Sequence, residues 1–139
     1  MHTPTLPRLL LPLLLLTTGC GATLKNPAVE AIQIGETWVF AYEETPVTGM
    51  DALTHGTVAA VDGCLQVDDA VVVWWPEQLD RVEELVGEVE AGGAPDVQLG
   101  GGGSSLAEGA SSEDFPDAVR EHCEPAAVWW SNGDEVAAE

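Results

Sequence analysis

The segment Ala70-Val71-Val72-Val73-Trp74-Trp75 is a continuous apolar run, and Pro76 ends it. A short run of β-branched and aromatic residues bounded by turn residues is typical of a buried central strand. Turn pairs lie on its N-terminal side, with Asp68-Asp69 directly before it and Asp62-Gly63 one short segment earlier. Because Asp-Gly tolerates the positive φ angles of a two-residue hairpin, this pattern predicts consecutive strands joined by tight turns.

Other parts of the chain also have the composition of strands. They lie at 38–42, 54–61, 64–67 and 126–130, and Asn132-Gly133 is a hairpin signal leading to 135–137. Together these segments predict one mostly β domain over residues 35–139, a small antiparallel β-barrel or meander of the OB-like or sandwich type. Ser111 or Ser112 with Asp114 predicts the start of one short helix near residue 115.

Two segments need separate treatment. In 79–89 the apolar residues Leu79, Val82 and Val89 have helical spacing, whereas Gly87 and the flanking strands favour a curved strand pair. Both interpretations stay open at this point. The segment 97–105 reads as a strand end followed by a flexible loop, because four glycines and two serines follow Leu99.

Residues 1–19 have the pattern of a secretory signal, since Arg8 precedes a leucine-rich run over 9–16 that is too short to span a bilayer. The ending Thr18-Gly19-Cys20 resembles the lipobox of bacterial lipoproteins. That resemblance implies that Cys20 is diacylated and begins the mature protein, with 20–34 as a flexible tether. Cleavage as an ordinary signal peptide, which would make the protein secreted, is the alternative.

The charge of the chain limits its partners. Its 139 residues include 24 acidic and 4 basic side chains, for a formal net charge of −20. Nucleic acids and anionic lipid surfaces are bound mainly through Lys and Arg, so binding to nucleic acid is not expected. We therefore expect the lipid to anchor the domain on the extracytoplasmic side of a cell membrane or outer membrane. An envelope protein or a glycan would be its partner.

The cysteines point to a disulfide. Export and lipidation of Cys20 leave Cys64 and Cys123 as the remaining thiols, and an oxidising compartment favours their pairing. A zinc site formed with His55 and His122 is the alternative, but these positions do not follow the short ligand spacings of structural zinc sites. We therefore expect a Cys64–Cys123 bridge, no metal site and no cofactor.

A wider resemblance rests on short motifs of Gly, Val and Trp. They are found at 56–58, 63–67, 72–76 and 97–102, and at Cys123 followed by Trp129. These motifs resemble the recurring pattern of small, uncharacterised secreted or lipid-anchored bacterial β domains, over about residues 50–135. The resemblance implies a mostly β fold and favours a strand for 79–89. It implies no activity.

Two adjacent tryptophan pairs, Trp74-Trp75 and Trp129-Trp130, are the candidate ligand-binding residues. Neighbours on a strand point to opposite faces, so each pair is expected to place one ring in the core and one outward. Outward rings could stack on a sugar or contact a partner protein. The alternative is that a helix or loop covers them, which would make all four core residues.

The residue pattern indicates no catalytic group. The serines lie in Gly/Ser-rich stretches without a nucleophile elbow, and the acidic residues are spread along the chain. We therefore expect a non-catalytic cell-envelope lipoprotein with a binding or structural role. The alternative is a small cell-surface hydrolase that uses an acidic pair.

Overall fold

The structure, a computed structural model, describes residues 28–47 and 49–138. The predicted signal segment and Cys20 lie outside these residues. The elements in chain order are β1 (Val29–Ile34), β2 (Thr37–Tyr42), β3 (Ala52–Val61), β4 (Cys64–Val67), β5 (Ala70–Trp74), α1 (Leu79–Glu90), β6 (Asp96–Ser105), α2 (Asp117–His122), β7 (Ala127–Ser131) and β8 (Ala137–Ala138).

One mixed sheet contains all eight strands. Their order is β1-β2-β4-β3-β6-β7-β5, and β8 pairs with β6. β5, the last strand in this order, also pairs with β2 and β4. The pairs β2–β4, β2–β5 and β5–β7 are parallel. The mostly β prediction is confirmed, but a purely antiparallel sheet is wrong, because three strand pairs are parallel. β3 lies between β2 and β4 in the chain, and α1, β6 and α2 lie between β5 and β7.

The two tight turns around β4 follow the sequence prediction. Asp62 and Gly63 have φ angles of 50° and 81°, and they join β3 to β4. Asp68 has a φ of 54° in the turn from β4 to β5. Asn132-Gly133 does not join two paired strands, since β8 pairs with Val97 and Gln98 of β6 and not with β7. The predicted hairpin at this position is therefore wrong.

Helical periodicity decides the structure of 79–89. α1 buries Val82, Leu85 and Val86 on one face and leaves Gly87 exposed on the other. A strand, which the resemblance favoured, is wrong here because an apolar stripe at helical spacing buries more surface as a helix. At the C-terminal end of α1, the Glu90 carboxylate accepts a hydrogen bond from the backbone N–H of Glu36 at 2.9 Å, which ties the helix to the β1–β2 turn.

The paired structure begins earlier than residue 35. Residues 29–34, assigned to the tether from the sequence, form β1 and pair with β2 from Val29↔Tyr42 to Ile34↔Thr37. The apolar side chains of this strand are only partly buried. The assignment of 29–34 to the tether is therefore wrong, because pairing with β2 orders this segment.

β6 continues through the glycine run that was predicted to be a flexible loop. The strand extends to Ser105 and pairs with β7, with Gly103 opposite Trp129. A Cβ atom at Gly101 would collide with the Trp130 carbonyl oxygen, and a Cβ at Gly103 would lie 3.0 Å from Trp129 Cε3. β7 therefore approaches β6 most closely at Gly101 and Gly103. The loop prediction is wrong, because strand pairing continues to Ser105.

Buried side chains form a cluster on each face of the sheet, as strand alternation requires. The first core cluster, which α1 covers, contains Val39, Ala41, Val58, Leu65, Val67, Val72, Trp74, Val82, Leu85, Val86, Val97, Leu99 and Val136. The second core cluster, which α2 covers, contains Phe40, Tyr42, Cys64, Val71, Val73, Phe115, Val119, Cys123 and Val128. A domain of this size therefore has a substantial core despite its charge.

The predicted short helix is divided in two. Ser111 caps a 3-10 turn, Ser112–Asp114, and its backbone N–H donates in return to the Asp114 carboxylate at 3.1 Å. Phe115 is then extended and buried, and α2 begins at Asp117 directly after Pro116. The capping signal at Ser111 is thus real, but it begins a single turn, because the extended Phe115 separates that turn from α2.

Candidate functional site

The predicted Cys64–Cys123 disulfide is confirmed. Cys64 begins β4 and Cys123 directly follows α2, with 6.2 Å between their Cα atoms. Both cysteines belong to the second core cluster, and Cys64 is fully buried. The bridge therefore attaches α2 to the sheet, which indicates a structural role for this cysteine pair.

The two histidines are not placed to complete a metal site with these cysteines. The His122 ring stacks on Trp38 with 3.9 Å between ring centroids, and His55 lies on β3 opposite Gln98. Within 28–47 and 49–138, no group of three or more His, Cys, Asp or Glu side chains is arranged to hold a metal ion.

The first tryptophan pair is largely enclosed. Trp74 is 1% exposed and belongs to the first core cluster. Trp75 is half-buried against the second core cluster, and its Nε1–H donates a hydrogen bond to the Ser131 carbonyl at 2.6 Å. The alternation predicted from the sequence is therefore present, but the outward member of the pair is held against the end of β7.

The second pair also divides between the faces of the sheet. Trp129 packs against the first core cluster and Trp130 against the second, and both are half-buried. Trp130 also lies beside Tyr42, with 6.1 Å between ring centroids. Trp129 thus shares a face with Trp74, and Trp130 shares a face with Trp75.

Of these four rings, Trp129 lies in a cleft that is open to solvent. The cleft has a volume of about 270 Å³ and lies where the β4–β5 turn meets β6 and β7. Its apolar part includes Trp129 and the buried residues Val67 and Leu99. Its polar side chains are the hydroxyls of Thr54, Ser104 and Ser105 and the carboxylates of Asp68, Asp69 and Glu108.

The position of the Trp129 ring is fixed by neighbouring backbone. Its Nε1–H donates a hydrogen bond to the Gly100 carbonyl at 3.2 Å. The other end of the indole rests against Gly103, directly across the strand pair. The absence of a side chain at Gly103 therefore leaves room for the indole beside the β6 backbone, and Trp129 contributes to the lining of the cleft.

The cleft carries negative charge. Asp68 has a structural partner, since its Oδ1 accepts a hydrogen bond from the backbone N–H of Thr57 at 2.9 Å. The Asp69 and Glu108 side chains are exposed and form no hydrogen bond or ion pair with any described residue. None of the residues lining the cleft is Lys, Arg or His.

Sequence reasoning identified Trp129 as a candidate but not the cleft. Thr54, Glu108 and the serines of β6 are distant in sequence from Trp129, and strand pairing alone brings them together. The one local signal is the glycine run, because a strand glycine often marks a place where another group approaches the backbone closely.

The chain matches no family model, no curated protein and no solved structure. The resemblance to small secreted β domains thus stays a prediction. In the part of the chain that the structure describes, no helix has the length and apolar character needed to cross a membrane.

Proposed function

We propose that this protein is a non-catalytic binding domain of the cell envelope and that it binds its ligand in the cleft beside Trp129. The observation that carries the proposal is the cleft itself, where an indole ring and a buried apolar floor lie next to polar side chains. Concave sites of this composition are the usual places where proteins bind small ligands or single side chains of a partner. Its volume of about 270 Å³ suits a ligand of that small size.

A direct test follows single indole groups by NMR. The purified full chain would be labelled with ¹⁵N-tryptophan and kept in a polyoxyethylene detergent, which carries no sugar. Each of the five indole N–H signals is assigned by a Trp→Phe variant. We expect at least one small polar probe among a neutral sugar, an alkyl amine and a carboxylate to shift the Trp129 signal saturably.

The controls separate a site from a general effect. Trp129→Ala should abolish saturable binding measured by the probe's own NMR signals, whereas Trp130→Phe, on the other face of the sheet, should leave it unchanged. If no probe shifts the Trp129 signal, or if Trp129→Ala binds as well as the wild type, this cleft is not the binding site and the proposal is wrong.

We also propose that Cys20 anchors the domain through lipid, with secretion as the alternative. The signal-like pattern of 1–19 supports export, and the disulfide is consistent with an oxidising compartment. Metabolic labelling with a clickable palmitate analogue should mark the wild type and leave Cys20→Ala unmarked. Cys64→Ala is the matched control, since it removes another cysteine and should keep the label. Equal labelling of wild type and Cys20→Ala would contradict the anchor.

For the fold, we propose that the strands close into a small barrel. The support is the pairing pattern, in which β5 contacts both β7 and β2 and so links the two ends of the series β2-β4-β3-β6-β7-β5. Amide exchange should then be slow in the β2–β5 pair, as in the neighbouring pairs. Rapid exchange confined to Phe40 and Ala41 would contradict closure.

A further inference from the structure

We infer that the ligand of the Trp129 cleft is an organic ammonium ion, either the side chain of a lysine on a basic partner or a free alkyl amine. This inference rests on the proposed function, because it names the ligand class of the same cleft. It is carried by the combination of an aromatic ring, unpaired carboxylates and the absence of any basic side chain among the residues that line the cleft.

The cavity supplies the apolar part of the recognition. The methylene groups of a lysine or alkyl amine would contact Val67 and Leu99, which are 4% and 1% exposed, and the indole of Trp129. An ammonium group near the face of an indole is attracted by the ring's quadrupole, and Trp is the strongest aromatic partner for such a cation. Long basic side chains combine these two properties, since an apolar stem carries the charged end.

The carboxylates determine the sign of the ligand's charge. Asp69 and Glu108 have no partner among the described residues, so a cation can pair with them without breaking an existing bond. Asp68 adds a third negative charge while it remains bonded to Thr57. An anion would be repelled by these groups and by the net charge of −20, and that same charge attracts cations to the surface.

Hydrogen-bonding capacity favours an ammonium ion over a neutral sugar. Carboxylates only accept hydrogen bonds, and an ammonium ion has three donors and no acceptor. The donor side chains of the cleft are three hydroxyls, those of Thr54, Ser104 and Ser105. A sugar hydroxyl both donates and accepts hydrogen bonds, so a sugar needs donors as well as acceptors from the cleft. Because most polar groups of the cleft are acceptors, a sugar matches the cleft less well than an ammonium ion does.

The test uses the same labelled full chain with two cationic probes and two controls. Nα-acetyl-lysine amide represents a lysine in a peptide, and cadaverine represents a free amine. N-acetylglucosamine and acetate are the neutral and anionic controls. We expect both cations to shift the Trp129 indole signal, with dissociation constants on the order of 1 mM. The tighter of the two identifies the source of the ammonium group.

Charge-neutralising variants make the test specific. Asp69→Asn and Glu108→Gln should each weaken binding of the cations by about 1.5- to fivefold, as expected for exposed ion pairs. Glu83→Gln is the matched control, because it removes one negative charge from the exposed face of α1 and should leave the affinity unchanged. Raising the salt concentration from about 20 mM to about 500 mM should weaken the binding of both cations to the wild-type protein, because salt screens the attraction.

The outcomes distinguish this inference from the proposed function. Binding of N-acetylglucosamine alone would overturn the ammonium ligand and leave the binding cleft in place. An equal loss in Glu83→Gln and Asp69→Asn would also overturn it, since the attraction would then be general. Binding of acetate alone would likewise overturn only the ammonium ligand. If none of the four probes shifts the Trp129 signal, both the ligand class and the binding cleft are wrong.

Discussion

At the scale of single residues, Trp129 depends on the absence of a side chain across the strand pair. A Cβ at Gly103 would lie 3.0 Å from Cε3 and 3.3 Å from Cζ3 of the indole, closer than atoms normally pack. Gly103→Ala should therefore push the ring from its place, cost about 1–3 kcal/mol of stability and change the Trp129 indole signal. Urea unfolding and the NMR spectrum measure the two effects.

The matched control for this change is Gly87→Ala, where an added Cβ meets nothing within 4 Å. Gly87→Ala should leave the chemical shift of the Trp129 indole N–H unchanged. An unchanged signal in Gly103→Ala would mean that the indole does not rest on the β6 backbone.

Tyr42 is a second residue with a measurable property. It is the one tyrosine in the chain, and burial in the second core cluster raises its pKa. A spectrophotometric titration reports this group alone and should give a midpoint above the ordinary value of about 10. The titration in urea provides the reference for the unfolded chain. A native midpoint at or below the unfolded one would contradict the burial of the phenol.

The sign of the linked stability change follows from the direction of this shift. Because the folded pKa lies above the unfolded one, the folded protein binds the phenolic proton more tightly. The corresponding stability is fully present below the unfolded pKa and is lost as the pH rises through the folded pKa. The free energy of unfolding should therefore decrease as the pH rises above the ordinary pKa of tyrosine.

At the scale of elements, the sequence predicted the tight turns, whose conformation depends only on neighbouring residues. The turns at Asp62-Gly63 and Asp68-Asp69 need only residues that accept positive φ, and both turns are present. The glycine half of β6 and the pairing partner of β8 were predicted wrongly for the opposite reason. The glycine run pairs with β7, and β8 pairs with a strand about 40 residues earlier in the chain, so neither pairing is visible in a local pattern.

α1 offers a pair of glycine substitutions that separate backbone conformation from packing. Gly87 lies in the helix interior, Gly92 follows the helix with a φ of +92°, and an added Cβ meets no atom within 4 Å at either site. Gly87→Ala should stabilise the protein by about 0.5–1 kcal/mol, because alanine favours the helix. Gly92→Ala should destabilise it by about 1–2 kcal/mol, since alanine strains at positive φ.

Urea unfolding of the two variants, measured side by side, checks this pair. If both variants changed the unfolding free energy equally and with the same sign, the helical conformation at Gly87 and the positive φ at Gly92 would not be the cause of the changes.

α2 depends on its attachments. A six-residue helix is too short to be stable alone in water, and here Val119 and the Cys64–Cys123 bridge hold it on the second core cluster. Reduction of the bridge should lower the unfolding free energy by about 2–5 kcal/mol. Amide exchange should then accelerate first in α2, before β3 and β6.

The control for reduction is Cys20→Ala, which keeps the bridge and should respond to reductant as the wild type does. The Cys64→Ala, Cys123→Ala double variant should have the same unfolding free energy as the reduced protein, and reductant should not change it. Exchange that accelerates equally in α2 and the sheet would show that the bridge does not act locally.

At the scale of the whole molecule, composition predicted the class of fold and limited the partners, but not the site. The strand segments and turn pairs were enough for one mostly β domain, and the charge excluded nucleic acid as an expected partner. The cleft brings together side chains from β3, the β4–β5 turn, β6, β7 and the segment after β6. Such an arrangement depends on strand order, and the parallel crossovers that set it have no local sequence signal.

The net charge of −20 makes a prediction about the stability of the entire domain. Like charges repel more in the compact state than in the expanded chain, and salt screens this repulsion. Raising NaCl from about 10 mM to about 300 mM at neutral pH should therefore stabilise the protein by on the order of 1 kcal/mol, or about 3–5 °C in Tm. Thermal unfolding followed by circular dichroism measures the change.

Two controls show that screening is the cause. Sodium sulfate at equal ionic strength should act as NaCl does, whereas a larger effect would indicate exclusion of sulfate from the protein surface. Near pH 4.1, the isoelectric point of the sequence, the net charge vanishes and the salt effect should vanish with it. A salt effect of equal size at both pH values would mean that self-repulsion does not limit the stability of this domain, because the net negative charge would be absent at the lower pH.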